Sequence, residues 1–272
     1  MYEQFWNLKE KPFSNTPDPR FLYYSKEHEE ALTRLIYAVT ENMGAAMLTG
    51  IFGCGKTLIC QKLINELKER GKYIVAMVNN PQLSHIELLR TIVYHLGVTD
   101  LPKQRSELLT DYLLETLEEI LNNNANDGRE TVVIVDEAHI IEDKAIFEQM
   151  RLLLNYQRQD KFLLTLLLVG QPELQKSVDN IKQFSQRIAI RYHLEKLTQD
   201  ETKNYINHRL TVAGGRGDIF LDPAVHLIYE NSGGIPRRIN HICDLSLLTG
   251  YGKRVKFIDR NTVNEVVKDM AG

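Results

Sequence analysis

Residues 50–57 read Gly50-Ile51-Phe52-Gly53-Cys54-Gly55-Lys56-Thr57, which fits G-x-x-x-x-G-K-[ST] at every specified position. No other stretch constrains the fold as strongly, because this pattern works only between a buried strand and the start of a helix. Both flanks comply. The apolar run Ala45-Ala46-Met47-Leu48-Thr49 precedes the loop, and a helical pattern from Leu58 to Arg70 follows it. Glycines let the backbone wrap closely around a phosphate where a side chain would block it. Successive N–H groups and the helix N-terminus then point at the anion. In such a loop Lys56 reaches the β- and γ-phosphates and the Thr57 hydroxyl ligates Mg²⁺. Gly50 through Leu58 is therefore the expected nucleotide-binding segment, with ATP and Mg²⁺ as cofactors. A glycine turn can precede a helix by chance, but the flanks argue against that reading.

A second motif raises binding to hydrolysis. Thr131-Val132-Val133-Ile134-Val135-Asp136-Glu137-Ala138-His139 is a buried-strand run ending in two adjacent carboxylates. In the Walker B arrangement the first acid, Asp136, holds Mg²⁺ through water, and the next, Glu137, polarises the attacking water. Neighbouring strand side chains face different directions, which suits this division of labour. Acids at a solvated strand end are common, so the pair gains its meaning from the loop upstream. His139 completes the letters D-E-A-H. No further helicase-like motifs accompany them, so His139 reads as a local helix-start residue.

Near-continuous apolar runs at Ala45–Thr49, Tyr73–Val78, Val132–Val135 and Leu163–Val169 predict strands, and Ala189–Leu194 predicts a fifth. Helical patterns, including Ser84–Leu96 and Glu107–Leu121, separate them. This alternation predicts an α/β domain with a five-stranded parallel sheet covered by helices on both faces. Beyond Leu197 only helices are expected: Gln199–Ala213, Pro223–Asn231, Arg237–Tyr251 and Thr262–Met270. Residues 1–25 are aromatic and broken by prolines, which forbid regular helix there. Ser25 then caps an amphipathic helix. The predicted domains are an arm, 1–25, strapped onto the ATPase domain, the α/β ATPase domain, 26–197, and a small all-α lid domain, 198–272.

With 33 basic and 36 acidic side chains, a net charge of −3, the chain shows no global excess that advertises nucleic acid. Cys54, Cys60 and Cys243 are odd in number and lack C-x-x-C spacing, which argues against a disulfide framework or a zinc site. Cys54 sits beside a helix N-terminus, a position that favours thiolate, with a buried inert thiol as the alternative. The N-terminus lacks signal-peptide design, and the most hydrophobic stretch, Phe162–Val169, is too short to span a bilayer. A cytoplasmic location is expected. The chain ends straight after a helical pattern, as a piece of a longer protein would.

Other side chains bear on the site. Gln171, at a strand end in Val169-Gly170-Gln171-Pro172, is placed either to sense a γ-phosphate or to serve a turn. Arg187 and Arg191 are either surface charge or an arginine finger for a neighbouring subunit. Arg237 and Arg238 open a helix after Gly233-Gly234-Ile235-Pro236, where cations oppose the helix dipole and a bound phosphate would offset the cost.

The chain resembles the AAA+ ATPases of the general secretion pathway protein A type over nearly all of its length. The residues that carry this include Lys11-Pro12-Phe13, Thr16-Pro17-Asp18-Pro19-Arg20-Phe21-Leu22-Tyr23, Ser25 and His28 in the arm. Gly170-Gln171-Pro172-Glu173-Leu174, Arg191-Tyr192-His193-Leu194, Gly233-Gly234-Ile235-Pro236-Arg237, Ile239-Asn240 and Cys243-Asp244 continue it, beside the two nucleotide motifs. The resemblance implies a P-loop sheet of the ASCE type with a helical lid, working as a ring or other homo-oligomer, a hexamer being one form. It makes Gln171 the first sensor, Arg237 the second, and Arg187 or Arg191 the finger. The chain departs from the family at His139, where glutamine is usual, and at Arg238, which replaces an apolar residue. The membrane helix and peptidoglycan-binding module of secretion-pathway members are missing, so the chain is expected to be either truncated or a short relative. The implied activity is ATP hydrolysis driving oligomerisation and assembly of a secretion, pilus or polysaccharide-export system, with a protein of a cell-envelope machine as partner. The alternative is a DNA-binding transposition regulator of the same fold, for which Lys253-Arg254-Val255-Lys256 and Arg237-Arg238 would supply a local basic patch. A nucleotide switch with scarcely any turnover is a third reading, against which Asp136-Glu137 argue.

Overall fold

The computed structural model describes residues 1–79, 81–101, 110–159 and 161–271. The chain divides into two compact units, one formed by Glu30–Ile51 and Ile59–Leu194, the other by Met1–Glu29, Phe52–Leu58 and Glu195–Gly272. Two of its boundaries fall within the first two helices, α1 (Lys26–Thr40) and α2 (Lys56–Glu69); the others fall in the loop before α2 and after Leu194.

The first unit holds the expected sheet. Its strands are β1 (Ala45–Gly50), β2 (Tyr73–Val78), β3 (Glu130–Val135), β6 (Leu164–Gly170) and β7 (Ile188–Leu194), all parallel in the order β2-β3-β6-β1-β7. Every residue of β1 and β6 is buried, which requires helices on both faces. The helices of this unit after α2 are α3 (His85–His95), α4 (Thr110–Asn126), α5 (Lys144–Leu153) and the short α6 (Glu173–Asp179) and α7 (Lys182–Ser185). Leu88, Leu89, Leu113, Leu117 and Met150 bring α3, α4 and α5 into one core with Val133 and Leu166 of the sheet. Ser84 and Glu87 form the capping box that starts α3. The expected helix start at Glu107 lies outside the described residues. A two-stranded antiparallel hairpin, β4 (Gln157–Arg158) with β5 (Lys161–Phe162), has no counterpart in the sequence reading; two residues a side are too few for a periodic signal.

β6 lies between β1 and β3, so three consecutive parallel strands end at one edge of the sheet. The register pairs Thr49 with Gly170 and Val135 with Leu168. Gly50, Asp136 and Gln171, the next residues along each strand, therefore share that edge.

In the other unit the helices are α8 (Gln199–Val212), α9 (Asp222–Ser232), α10 (Pro236–Lys253) and α11 (Arg260–Ala271). Their core corrects the expected arm packing. Tyr2, Trp6, Phe13 and Phe21 are buried among Tyr205, Phe220, Ile239 and Leu247, so the arm's aromatics, expected on the ATPase domain, complete the helical core. The Trp6 indole donates to Leu247 O at 3.0 Å, and Arg209, buried in α8, donates to Pro12 O and Ser14 O. The large rings of the arm add apolar area to the core between these helices. Among the described residues no helix is long and apolar enough to cross a membrane.

Candidate active site

The phosphate-loop motif forms the turn between β1 and α2, with Lys56 as the first helical residue. Gly53 and Gly55 adopt φ of 83° and 107°, values that L-residues rarely reach. The loop is gripped from its outer side by two elements of the same unit. His28 donates from Nε2 to Cys54 O at 3.0 Å, while its Nδ1 accepts from the Ser25 hydroxyl at 2.6 Å. Arg237, in the first turn of α10, donates its backbone N–H to Gly53 O at 3.2 Å, and its guanidinium lies 4.7 Å from the centroid of the Phe52 ring. A Cβ on Gly53 would approach Arg237 Cβ to 2.7 Å, and one on Gly55 would approach His28 Nε2 to 2.9 Å.

These contacts have an electrostatic consequence. Two loop carbonyls, which would repel an anion, are held by protein donors, which favours N–H groups as the face offered to a phosphate. Burial pushes the His28 imidazole below its ordinary pKa, against the hydrogen bond to the Cys54 carbonyl, which pulls the other way. In the neutral ring, the hydrogen given to Cys54 O from Nε2 leaves Nδ1 as the acceptor for Ser25. Lys56 is buried, and Thr57 and Leu58 are half-buried behind it. The Cys54 side chain is fully buried, which decides between the two readings of that thiol in favour of the inert one.

The carboxylates follow β3. Asp136 is 3% exposed, and its Oδ1 accepts from the Glu137 N–H at 2.8 Å. Glu137 sits in left-handed backbone, φ 53° and ψ 29°, an uncommon conformation for a residue with a side chain and one that concentrates at functional sites. It ends the strand abruptly and turns the chain into a 3₁₀ turn, Ala138–Ile140. Gln171 Nε2 is 2.7 Å from His139 Nε2, and His139 Nδ1 is 3.4 Å from a Glu137 carboxylate oxygen. Glu137, His139 and Gln171 are therefore one cluster. Nothing local to His139 signals this cluster, because Gln171 lies 32 residues further along the chain.

The two candidate fingers differ. Arg191 is bound to its own chain, to Asp179 at 2.7 Å, Ser185 O at 3.0 Å and Ser185 Oγ at 2.6 Å. Its guanidinium holds the Asp179 carboxyl below the usual carboxylate range. Arg187 makes one long hydrogen bond, 3.4 Å, to Asn155.

The residue types fit nucleotide and metal. Closely turned glycines and a helix-starting lysine suit phosphate, and the oxygens of Thr57 and Asp136 are the hard donors that Mg²⁺ takes. The family pattern described as AAA domain matches residues 39–178. The chain belongs to the AAA domain family. Over its full length it is 36% identical to General secretion pathway protein A of Aeromonas hydrophila, of which it spans 49%. That bears out the resemblance drawn from the arm and the Gly-Gln-Pro-Glu-Leu block. Cdc6p from Pyrobaculum aerophilum has the same fold, with a TM-score of 0.76 at 18% identity over 95% of this chain and 70% of that one. The Aeropyrum pernix ORC2 protein, in its ADPNP–ADP complexes, matches at 0.71 and 18% identity over 96% and 71%. These two similarities concern the AAA fold alone.

Proposed function

We propose that this AAA protein hydrolyses ATP to ADP and phosphate, and that nucleotide state governs its self-association and its work on a cell-envelope assembly such as a secretion system. The observation that carries the catalytic part is the shared strand edge. Parallel pairing of β1, β6 and β3 puts the start of the phosphate loop, Asp136-Glu137 and Gln171 together at the carboxyl end of one sheet. Lys56 takes the β- and γ-phosphates, Thr57 and, through water, Asp136 would hold Mg²⁺, and Glu137 accepts the proton of the attacking water. Bound Mg²⁺ supplies neutralisation of charge developing on the phosphates. Gln171 is the γ-phosphate sensor. Arg237, stacked on Phe52, is the lid's cation toward nucleotide. Arg187 is the finger given to a neighbouring subunit, since Arg191 is already engaged within its own chain. The reading places the chain in the cytoplasm, and the likeness to a secretion-pathway protein supports the envelope role.

Lys56→Ala is expected to abolish binding of a fluorescent ATP analogue. Glu137→Gln is expected to keep binding and lose turnover by about 10²-fold or more. Wild-type phosphate release from the Glu137→Gln protein would remove the catalytic assignment.

A DNA-binding role has one observation in its favour. Arg216, Arg254 and Lys256 line a groove of about 620 Å³ with Phe5 and Phe257. A salt-dependent mobility shift of duplex DNA in the presence of an ATP analogue would support it.

A further inference from the structure

We propose that His139 is a positioning residue that ties the Glu137 carboxylate and the Gln171 amide into one hydrogen-bonded unit, so that engagement of the sensor is felt by the base. The inference rests on the reading of Glu137 as base and Gln171 as sensor.

The geometry specifies where the protons are. An amide nitrogen only donates, so at 2.7 Å the Gln171 NH₂ gives a hydrogen to His139 Nε2, which must be unprotonated. A neutral imidazole with a bare Nε2 carries its hydrogen on Nδ1. That atom is buried and has no hydrogen-bond partner of good geometry, yet it lies 3.4 Å from Glu137 Oε2. An N–H with no partner in a buried place is costly, and the carboxylate is the acceptor within reach. A shift of a few tenths of an ångström in either side chain completes the bond.

The backbone supports this placement. A Cβ on Gly170 would lie 3.0 Å from His139 N and 3.3 Å from His139 Cβ, so this glycine admits the 3₁₀ turn against the end of β6. Gln171 follows immediately. The left-handed backbone at Glu137 starts the turn that carries His139. The His139 side chain is 12% exposed against 36% for Glu137, so the ring is held by packing while the carboxylate is free to meet solvent. A donor from a neutral imidazole orients a carboxylate without removing its charge. Conversely, an anionic oxygen that draws the Gln171 NH₂ shifts its hydrogen bond to His139, and the ring passes that displacement to Glu137. Sensing and water activation are thereby coupled through one side chain.

The first test needs no turnover. In protein labelled with ¹⁵N-histidine, His139 is expected to show the Nδ1–H tautomer, and Gln171→Leu, which removes the donor to Nε2, to shift the Nε2 resonance. An Nε2–H tautomer in the wild-type protein overturns the proposal. The second test is kinetic. His139→Ala is expected to lower kcat about tenfold or more while the Kd for a fluorescent ATP analogue stays within about threefold. Retained affinity also shows that the variant is folded. His139→Gln, which can donate to Glu137 and accept from Gln171, is expected to recover part of the loss. Adding Gln171→Ala to His139→Ala is expected to cost no more than the worse single change, and additive losses overturn the coupling. If the wild-type protein releases no phosphate, the hydrolytic reading fails by itself, and the tautomer still decides whether the network exists.

Discussion

Replacing Gly234 by alanine would strike a point where two backbone segments of the helical unit meet closely. Gly234 follows α9 with φ of 73°, and a Cβ built on it lies 2.0 Å from Leu197 O and 3.0 Å from the carbonyl carbon. The obstacle is backbone, so no side-chain rotation relieves it. The same two residues are hydrogen-bonded, Leu197 N–H donating to Gly234 O at 3.0 Å, and any separation large enough to admit a methyl group stretches that bond. Positive φ costs an L-residue roughly 1–2 kcal/mol, overpacking adds roughly 1–3 kcal/mol, and the hydrogen bond about 1 kcal/mol. Gly234→Ala should therefore destabilise this unit by about 3 kcal/mol or more. Gly233 is the internal control. It is also left-handed, at φ 60°, but a Cβ there meets nothing within 4 Å, so Gly233→Ala should cost only the backbone strain, about 1 kcal/mol. Trp6 is the sole tryptophan and is buried in this unit's core, so its fluorescence during urea unfolding reads this unit. With a slope of about 2 kcal/mol per molar urea, the two midpoints should differ by roughly 1 M. Because Arg237 lies three residues on, Gly234→Ala should also weaken ATP-analogue binding. Equal midpoints for the two variants would refute the steric argument.

Three further outcomes are expected. Burial depresses the His28 pKa, so the unfolded chain binds its proton first as pH falls. The stabilisation is complete above the ordinary histidine value of about 6.5 and declines below it, and urea midpoints between pH 7 and 5 should fall less in His28→Asn than in wild type. Arg187→Ala should keep ATP binding and lose turnover by about 10³-fold, recovering part of it when mixed with Lys56→Ala. Arg191→Ala, by orphaning Asp179 and Ser185, should show itself in stability instead, and the reverse pattern would reassign the finger. The buried Cys54 thiol should react slowly with alkylating reagents whether or not ATP is present, as mass spectrometry can follow; fast labelling that ATP blocks would contradict its burial.

What was legible from residues alone was whatever a local rule governs. β2 falls at Tyr73–Val78 as its apolar run indicates, and α3 starts after Ser84 because the capping box is written in four consecutive residues. The loop motif likewise names its strand and helix by adjacency. What escaped depends on pairing between distant segments. Phe13 announced that it needed a partner, but its partner ring, Phe220, is brought near only by the folding of α8 and α9. The arm's aromatics therefore join the helical core, a partnership that no local pattern in residues 1–25 indicates. His139 and Gln171 are separated by 32 residues, and no periodicity links them. Their meeting follows from the β3–β6 register, which pairs residue 131 with residue 164 and 135 with 168 and so brings the two strand ends together. Once that offset is known, a histidine three residues past Asp136 and a glutamine just past Gly170 must be near neighbours. Each motif in this chain is local, but the chemistry proposed for it arises where the sheet's register superimposes two of them.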